Sequence, residues 1–326
     1  MSSLEEPTLS PRDRLPPARR GPPAPLSSAA IDAALRPALA EDRALAGPRG
    51  EVDVTTLHAV PSGARARATL VAKRPGVMAG MAVFLRAFEL CDPASARRAL
   101  VQDGDAFEKG AKLAEVEGSA RALLSAERTA LNFVQRLCGV ATSTARHVLV
   151  AHEAGMRPTR ILDTRKTTPN LRALEKHAVR CGGGENHRFA LHDEAMVKEN
   201  HIELAGRPIP EVLRDLRAAL GAGVRITCEA RDEGEARAAV EGGADVVLLD
   251  NLAAAEMRRL CPLLRAQAAA LGRAVELEAS GGIDESSLRA VATCGVDRVS
   301  IGALTHSAPA LDLSLDLEPL ADGGRA

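Results

Sequence analysis

The chain has 326 residues, of which 46% are hydrophobic and 26% charged, so it can bury the core of two domains or of one large α/β barrel. Its 42 Lys and Arg residues balance 43 Asp and Glu residues, which argues against a generic nucleic-acid binder, because such proteins carry a basic excess. Aromatic residues reach only 2%, which argues against base-stacking platforms. No apolar run approaches the ~20 residues of a membrane span, and no secretory signal is visible.

The cysteines indicate a reducing compartment. No two of the six are close enough in sequence to form a C-x-x-C ligand pair. A disulfide scaffold does not suit a chain of this length and cysteine density. We therefore expect reduced, mostly buried cysteines and a cytoplasmic protein.

The N-terminal 27 residues are rich in Pro and poor in large apolar side chains, which predicts a disordered lead-in. A transit peptide is the alternative, but the acidic residues in this segment count against it. Order is expected to begin at Ser27-Ser28, which can cap a helix over Ala29–Ala40.

Residues 51–118 predict an irregular mixed region, with Met81 and Val83 among its strand-like runs and glycines between them. From Ala120 to about Ala154, apolar residues recur at three- and four-residue steps, which predicts one long helix.

Beyond residue 155 the sequence alternates between short apolar runs and helical patterns. The predicted strands are Arg160–Thr164, Ala195–Lys198, Val224–Glu229, Val246–Asp250, Val275–Ser280 and Val299–Gly302. The predicted helices are Leu171–Arg180, Pro210–Leu220, Glu233–Glu241, Ala253–Leu271 and Glu285–Cys294. This alternation predicts βαβ units with a parallel sheet, and six strands fit a barrel better than a short doubly wound sheet. No G-x-G-x-x-G follows a strand, which disfavours a dinucleotide-binding fold.

Each predicted strand ends in charged, polar or small residues. Parallel barrels carry their active sites at this end of their strands. The early strand ends supply the cations Arg165, Lys166, Arg188 and Lys198. The middle two supply the carboxylates Glu229 and Asp250. The last two supply Ser280-Gly281-Gly282 and Ile301-Gly302-Ala303, whose backbone N–H groups suit a phosphate. The pattern indicates a phosphorylated, polyanionic substrate whose leaving group is bound by Mg²⁺.

Each element also has a plainer interpretation. A single cation at a strand end is usually solvated. Glu229 and Asp250 can simply pair with Arg165 or Lys198, and a Ser-Gly-Gly turn can be only a tight connection. For His187 and His192, hydrogen bonding is a better interpretation than zinc binding, since a third ligand is absent from the motif.

Several motifs together resemble the quinolinate phosphoribosyltransferase family, also called nicotinate-nucleotide pyrophosphorylase (carboxylating). The matching segments are Glu127-Arg128-Thr129, Asp163-Thr164-Arg165-Lys166-Thr167-Thr168-Pro169, Gly182-Gly183-Gly184-Glu185-Asn186-His187-Arg188, Lys198-Glu199-Asn200-His201, Leu249-Asp250-Asn251, Ser280-Gly281-Gly282 and Gly302-Ala303-Leu304-Thr305-His306-Ser307. The likeness runs from about residue 28 to 317.

The resemblance implies an N-terminal α/β sandwich over residues 28–140 and an incomplete, TIM-like α/β barrel over 141–303. It further implies that residues 304–326 form a tail returning to the sandwich. It also implies a homodimer in which Arg128 serves the site of the neighbouring subunit.

The implied reaction transfers phosphoribose from phosphoribosyl pyrophosphate to quinolinate, with decarboxylation, and yields nicotinate mononucleotide for NAD biosynthesis. By resemblance, Arg128, Arg165, His187, Arg188 and Lys198 contact quinolinate or ribose-phosphate groups. Thr164 also binds substrate, and Lys166 lies beside the reacting centre. Glu229 and Asp250 hold the ribose hydroxyls and Mg²⁺, the metal partly through water and substrate. Ser280, Gly281, Gly282, Ile301, Gly302 and Ala303 bind phosphate.

One departure concerns the flanks of Glu229, where the family often has acidic residues and this chain has Thr227 and Arg231. It weakens the expectation of further metal ligands. Three alternatives remain: a related group implicated in molybdenum uptake, a non-catalytic phosphate-ligand barrel, and a phosphoribosyltransferase for nicotinate. Nicotinate has one carboxylate, so that last alternative predicts fewer cations than this chain carries.

Overall fold

The computed structural model describes residues 23–42, 53–154 and 159–320. The lead-in over residues 1–22 and the last six residues of the predicted tail lie outside the described residues. The helices are α1 (Ser28–Glu41), α2 (Val54–Ala59), α3 (Met81–Cys91), α4 (Ala120–Glu153), α5 (Arg172–Cys181), α6 (Glu199–Ala205), α7 (Ile209–Leu220), α8 (Glu233–Gly242), α9 (Ala254–Ala270), α10 (Glu285–Ala292) and α11 (Ala303–His306). The strands are β1 (Arg65–Ala72), β2 (Gly76–Val77), β3 (Ala96–Ala99), β4 (Ala106–Phe107), β5 (Lys112–Ser119), β6 (Arg160–Leu162), β7 (Ala195–Val197), β8 (Ile226–Ala230), β9 (Val246–Asp250), β10 (Glu276–Ser280), β11 (Arg298–Ser300) and β12 (Leu313–Pro319).

The chain forms two compact units. The first comprises Met1–Arg146, Thr168–Gly183 and Ala308–Ala326, and the second comprises His147–Thr167 and Gly184–Ser307. The sequence placed the boundary at residue 140 and assigned α5 to the barrel. In the structure α5 lies in the first unit, where its Glu175 pairs with Arg136 at 2.9 Å.

The first unit is built on a four-stranded sheet in the order β12-β1-β5-β3. The alternate positions Ala66, Ala68, Leu70 and Ala72 of β1 are buried, as expected of a strand with one covered face. The β12 strand, from the C-terminal segment, pairs antiparallel with β1.

Two helices of the first unit show one sequence prediction that is confirmed and one that is wrong. Ser27 caps α1 by accepting a hydrogen bond from the Ala30 N–H, as predicted. The strand-like interpretation of Met81 and Val83 was wrong, because both lie in α3. The buried residues of α3, including Phe84 and Phe88, recur at helical rather than alternating spacing.

The second unit contains a six-stranded parallel sheet in the order β6-β11-β10-β9-β8-β7. All six predicted strands are present, and the edge strands β6 and β7 are not paired with each other, so the barrel is open. The central strands β8, β9 and β10 are almost continuously buried, as in a sheet covered on both faces. This confirms the α/β class with an open barrel. No helix among the described residues is long and apolar enough to cross a membrane.

Candidate active site

A cavity of about 400 Å³ opens at the carboxyl ends of the parallel strands of the second unit. We call it the rim cavity. Most residues predicted for the site line it, namely Thr164, Arg165, Lys166, His187, Arg188, Lys198, Glu229, Asp250, Ser280, Gly281 and Gly282. Met196, Leu248, Asn251, Glu278 and Ser300 complete the lining. The structure therefore brings these predicted residues together around one cavity.

The predicted residues at the last strand end border the cavity lining without forming part of it. Ile301 is buried. Gly302 lies so close to Lys166 that an added Cβ would be 3.1 Å from the Lys166 Cδ. The Thr305 hydroxyl, at the start of the following turn, donates to the Lys166 carbonyl at 2.9 Å. This turn thus fixes the backbone that carries Lys166.

Two arginines contribute positive charge to the cavity. Arg165 and Arg188 both line it. Partial burial lowers the pKa of Arg188 from its usual value, and the neighbouring positive charge of Arg165 lowers it further. Two guanidinium groups that repel each other in a partly desolvated cavity gain free energy when an anion binds between them. The planar fork of each group suits a carboxylate.

Lys198 and Glu229 form an ion pair at the cavity mouth, with Nζ 3.0 Å from Oε2. The plainer interpretation of Glu229, a pairing partner for Lys198, is therefore realised in the structure. This pairing is compatible with the predicted role of Glu229 in holding ribose hydroxyls and Mg²⁺. The pair is partly exposed, and exposed ion pairs are worth only about 0–1 kcal/mol. A ligand of either charge can displace one partner.

Glu229 and Asp250 share one face of the sheet. Their strands are adjacent, and Glu229 stands opposite Leu248, two residues before Asp250. Because side chains two positions apart point to the same face of a strand, both carboxylates are directed into the cavity. The pairing of Asp250 with Arg165 or Lys198 does not occur among the described contacts. Instead, Asp250 Oδ2 accepts a hydrogen bond from Asn251 Nδ2 at 2.7 Å.

The Ser280-Gly281-Gly282 turn fits tightly against the end of the neighbouring strand. The Asn251 N–H donates to the Ser280 carbonyl at 2.9 Å. Gly281 has a φ of 94°, and a Cβ there would lie 2.3 Å from Asn251 Oδ1, so only glycine fits.

The helix that follows this turn is already capped. Asp284 accepts hydrogen bonds from the N–H groups of Ser286 and Ser287, and these bonds lower its pKa to about 2. The first turn of α10 therefore has less donor capacity than a bare helix start. A phosphate at this edge would rely on the glycine backbone more than on the α10 dipole.

The sequence interpretation missed a buried charge cluster beneath the cavity. Glu278 is fully buried, Arg298 is 3% exposed, and Arg298 Nε lies 2.6 Å from Glu278 Oε2. The two residues stand opposite each other in the register of β10 and β11. The available signal was a pair of charged residues inside or beside apolar strand runs, since buried charges need partners.

Arg128 has a different location from the other predicted residues. It is exposed on α4 in the first unit, where it lines a separate open cavity of about 600 Å³ with Asp53, Arg121 and Ser125. Arg121 donates to the Leu57 and Val60 carbonyls, and the Ser125 hydroxyl donates to Asp53, so α2 is attached to α4 beside Arg128.

Asp103, His177 and Cys181 are the described residues whose ligand atoms cluster closely enough to suggest a metal. The His177 Nε2 and Asp103 Oδ2 atoms, however, are 2.7 Å apart, which is a hydrogen-bond distance. Two ligands of tetrahedral zinc, each about 2 Å from the ion, lie roughly 3.3 Å apart. The cluster is therefore explained by a hydrogen bond without a metal.

Comparisons with known proteins agree with this geometry. Residues 53–138 match the family model "Quinolinate phosphoribosyl transferase, N-terminal domain", and residues 140–316 match "Quinolinate phosphoribosyl transferase, C-terminal domain".

Two curated relatives and one solved structure illustrate the similarity. The chain is 43% identical over 250 residues to a probable nicotinate-nucleotide pyrophosphorylase [carboxylating] of Bacillus subtilis, covering 77% of this chain and 83% of the relative. It is 38% identical over 306 residues to the nicotinate-nucleotide pyrophosphorylase [carboxylating] of Mycobacterium leprae, covering 90% and 100%. The crystal structure of NadC from Streptococcus pyogenes superposes with a TM-score of 0.81 at 36% identity, covering 91% and 99%.

Proposed function

The chain belongs to the quinolinate phosphoribosyltransferase family, and we propose that its rim cavity transfers phosphoribose from phosphoribosyl pyrophosphate to quinolinate with loss of CO₂. The product is nicotinate mononucleotide, a precursor in NAD biosynthesis. The observation that carries the proposal is the charge distribution of the cavity, in which Arg165, Arg188 and Lys198 face Glu229 and Asp250.

The cations hold quinolinate. Its two carboxylates are adjacent on one ring, and the forked Arg165 and Arg188 groups can each bond two oxygens. Lys198 supplies a movable point charge, since it is already at the cavity mouth and is held only by an exposed pair. Together these groups orient the ring nitrogen toward the sugar.

Glu229 and Asp250 stabilise the sugar. As the bond from the anomeric carbon to pyrophosphate breaks, its electron pair leaves with pyrophosphate and positive charge develops on the ribose. Carboxylates placed beside that charge lower the barrier, and they can also accept hydrogen bonds from the ribose hydroxyls. The ring nitrogen then forms the new bond to the anomeric carbon, with Lys166 beside the reacting centre.

Decarboxylation follows from the chemistry of the substrate. Once the nitrogen is bonded to ribose, the ring is cationic and accepts the electron pair released as the 2-carboxylate departs as CO₂. A proton from water then bonds to the ring carbon that carried the departing carboxylate. The substrate is its own electron sink, so the protein supplies orientation and charge placement.

The carboxylates of the cavity fit Mg²⁺. Glu229 and Asp250 offer hard oxygen donors from one face of adjacent strands, and Mg²⁺ usually takes one or two carboxylates together with water and substrate phosphate. When bound, the ion would neutralise charge on the departing pyrophosphate. Glu229 would then have to share its carboxylate with Lys198 or release it.

A homodimer would complete the site. Arg128 lies in the first unit and is exposed, and α2 and α4 beside it expose the apolar side chains of Val54, Leu57 and Leu124. Such a surface suits burial against a second copy of the chain. The proposed role of Arg128 is to contact quinolinate in the partner's cavity.

The thiol state fits a cytoplasmic location, since none of the six cysteines forms a disulfide bond within the described part of the chain.

The test is a parallel assay with two acceptors. Purified protein is supplied with phosphoribosyl pyrophosphate, Mg²⁺ and either quinolinate or nicotinate, and nicotinate mononucleotide is measured. The proposal expects product from quinolinate and little from nicotinate. Equal or greater turnover of nicotinate would assign the cavity to the other substrate.

A further inference from the structure

We propose that Glu278 is a positioning residue that fixes the ring of His187 in one tautomer and so holds Arg188 in its substrate-binding place. This inference rests on the proposed function of the rim cavity. His187 itself lines the cavity, and Glu278 would act on the site through it.

Glu278 is a buried carboxylate beside a buried arginine. Its side chain is fully buried at the base of the rim cavity, and Oε2 lies 2.6 Å from Arg298 Nε. Burial acts to raise the pKa of Glu278, but contacts with His187, Arg298 and Ser300 outweigh it, and the pKa falls below its usual value. The carboxyl group is therefore ionised and acts as an acceptor.

The two ring nitrogens of His187 have different neighbours. The backbone N–H of Arg188 donates to Nδ1 at 2.7 Å, and a backbone N–H can only donate, so Nδ1 carries no proton in this arrangement. The proton of the neutral ring is then on Nε2, which lies 3.4 Å from Glu278 Oε1. A carboxylate at that position favours this tautomer over the other.

A second buried carboxylate holds the same segment from the other side. Asp163 Oδ1 accepts the His187 backbone N–H at 2.9 Å, and Asp163 Oδ2 accepts Asn186 Nδ2 at 3.0 Å. Asp163 fixes the backbone, while Glu278 fixes the ring. The Arg188 backbone N–H therefore donates to His187 Nδ1 in a fixed orientation. This contact fixes the backbone position from which the Arg188 side chain extends.

The competing explanation gives Glu278 only the task of neutralising Arg298. The chain offers a matched control for this idea. Glu276 precedes Glu278 by two residues on β10, and its Oε2 lies 3.6 Å from Arg298 Nη1, but none of its described contacts involves His187. A role in neutralising Arg298 alone predicts a loss of stability in both variants, larger at the closer and fully buried Glu278, with no selective loss of kcat/KM for quinolinate.

Kinetics of the full-length Glu278→Gln and Glu276→Gln proteins separate the two explanations. We expect Glu278→Gln to lower kcat/KM for quinolinate by about tenfold to a hundredfold, the scale seen when the hydrogen-bond partner of a metal-ligating His is lost. The KM for the sugar donor should stay unchanged, and Glu276→Gln should behave as wild type. Equal losses in the two variants, or a loss confined to the donor, would overturn the proposal.

The ring tautomer gives a readout in the wild-type protein that does not depend on a Glu278 variant. Nitrogen-15 NMR of the histidine rings in the wild-type protein, with His187 assigned by its absence in His187→Asn, should show the proton on Nε2. In Glu278→Gln the signals should move toward a mixture of tautomers. A ring protonated on Nδ1 in the wild type would overturn the proposal even if Glu278→Gln failed to fold. It would do so whether or not the protein turns over quinolinate.

Discussion

Lys198 and Glu229 face each other from the ends of adjacent parallel strands, with 3.0 Å between Nζ and Oε2. Without a ligand, Lys198 is therefore paired with the carboxylate proposed to act on the sugar. On the proposed mechanism, the carboxylates of quinolinate compete with Glu229 for Lys198. We expect that competition to free Glu229 for the ribose hydroxyls and Mg²⁺.

Glu229→Gln should therefore tighten the binding of quinolinate alone while it lowers turnover. Removing the competing carboxylate returns the charge of Lys198 to the ligand, a gain of up to about fivefold in affinity given the small free energy of an exposed pair. Calorimetric titration without the sugar donor measures it. Glu233→Gln, which alters an exposed carboxylate paired with Arg237 and Arg259, is the control. Weaker quinolinate binding in Glu229→Gln would contradict the competition.

Asp250→Asn should keep the fold and lose activity. The amide is nearly isosteric and can still accept the hydrogen bond from Asn251. Turnover should fall by about a hundredfold or more, the scale for losing one preorganised electrostatic group, and the apparent requirement for Mg²⁺ should rise.

The binding of quinolinate alone should barely change in Asp250→Asn, because that ligand rests on the cations. Separate titrations of quinolinate and Mg²⁺ into this variant and into Asp215→Asn, an exposed control, test the division of labour. A collapse of quinolinate binding with an unchanged Mg²⁺ dependence would show that Asp250 acts on quinolinate instead of the sugar and the metal.

Mixed dimers test the role of Arg128. Arg128→Ala and Lys198→Ala homodimers should each be nearly inactive, because every site lacks one cation. Subunit exchange between them should restore activity, since both lesions can fall in one site and leave the other intact. Exchange between Lys198→Ala and Arg188→Ala is the matched control and should restore nothing, because both residues line the same cavity of one chain. Failure of the first mixture would refute the shared site.

Truncation tests the boundary of the folded chain. Deleting residues 1–22 should leave both melting temperature and turnover intact. Deleting residues 1–27 should also preserve turnover but remove the Ser27 cap of α1, at a cost of about 1 kcal/mol in the free energy of unfolding. Ser27→Ala in the full chain should reproduce that cost. A large loss of turnover in the shorter deletion would show that the lead-in contributes to the site.

The end of β9 was predictable because its buried run is apolar and stops at the polar Asp250. The sequence could not show that Lys198 and Glu229 pair, since that contact depends on the register of β7 and β8. Met81 and Val83 were misassigned because the neighbouring glycines suggested short strands, whereas Gly80 is the cap of α3 with a φ of 87°. Glu278 was overlooked because its partners, Arg298 and His187, are distant in sequence.

The most direct measurement of the proposed reaction follows the fate of one carboxylate. Quinolinate labelled at its 2-carboxyl carbon is incubated with the protein, Mg²⁺ and phosphoribosyl pyrophosphate, and labelled CO₂, pyrophosphate and nicotinate mononucleotide are counted. The account predicts the three products in equal amounts, with no labelled CO₂ when the sugar donor is omitted. Labelled CO₂ without the donor, or pyrophosphate release without labelled CO₂, would contradict it.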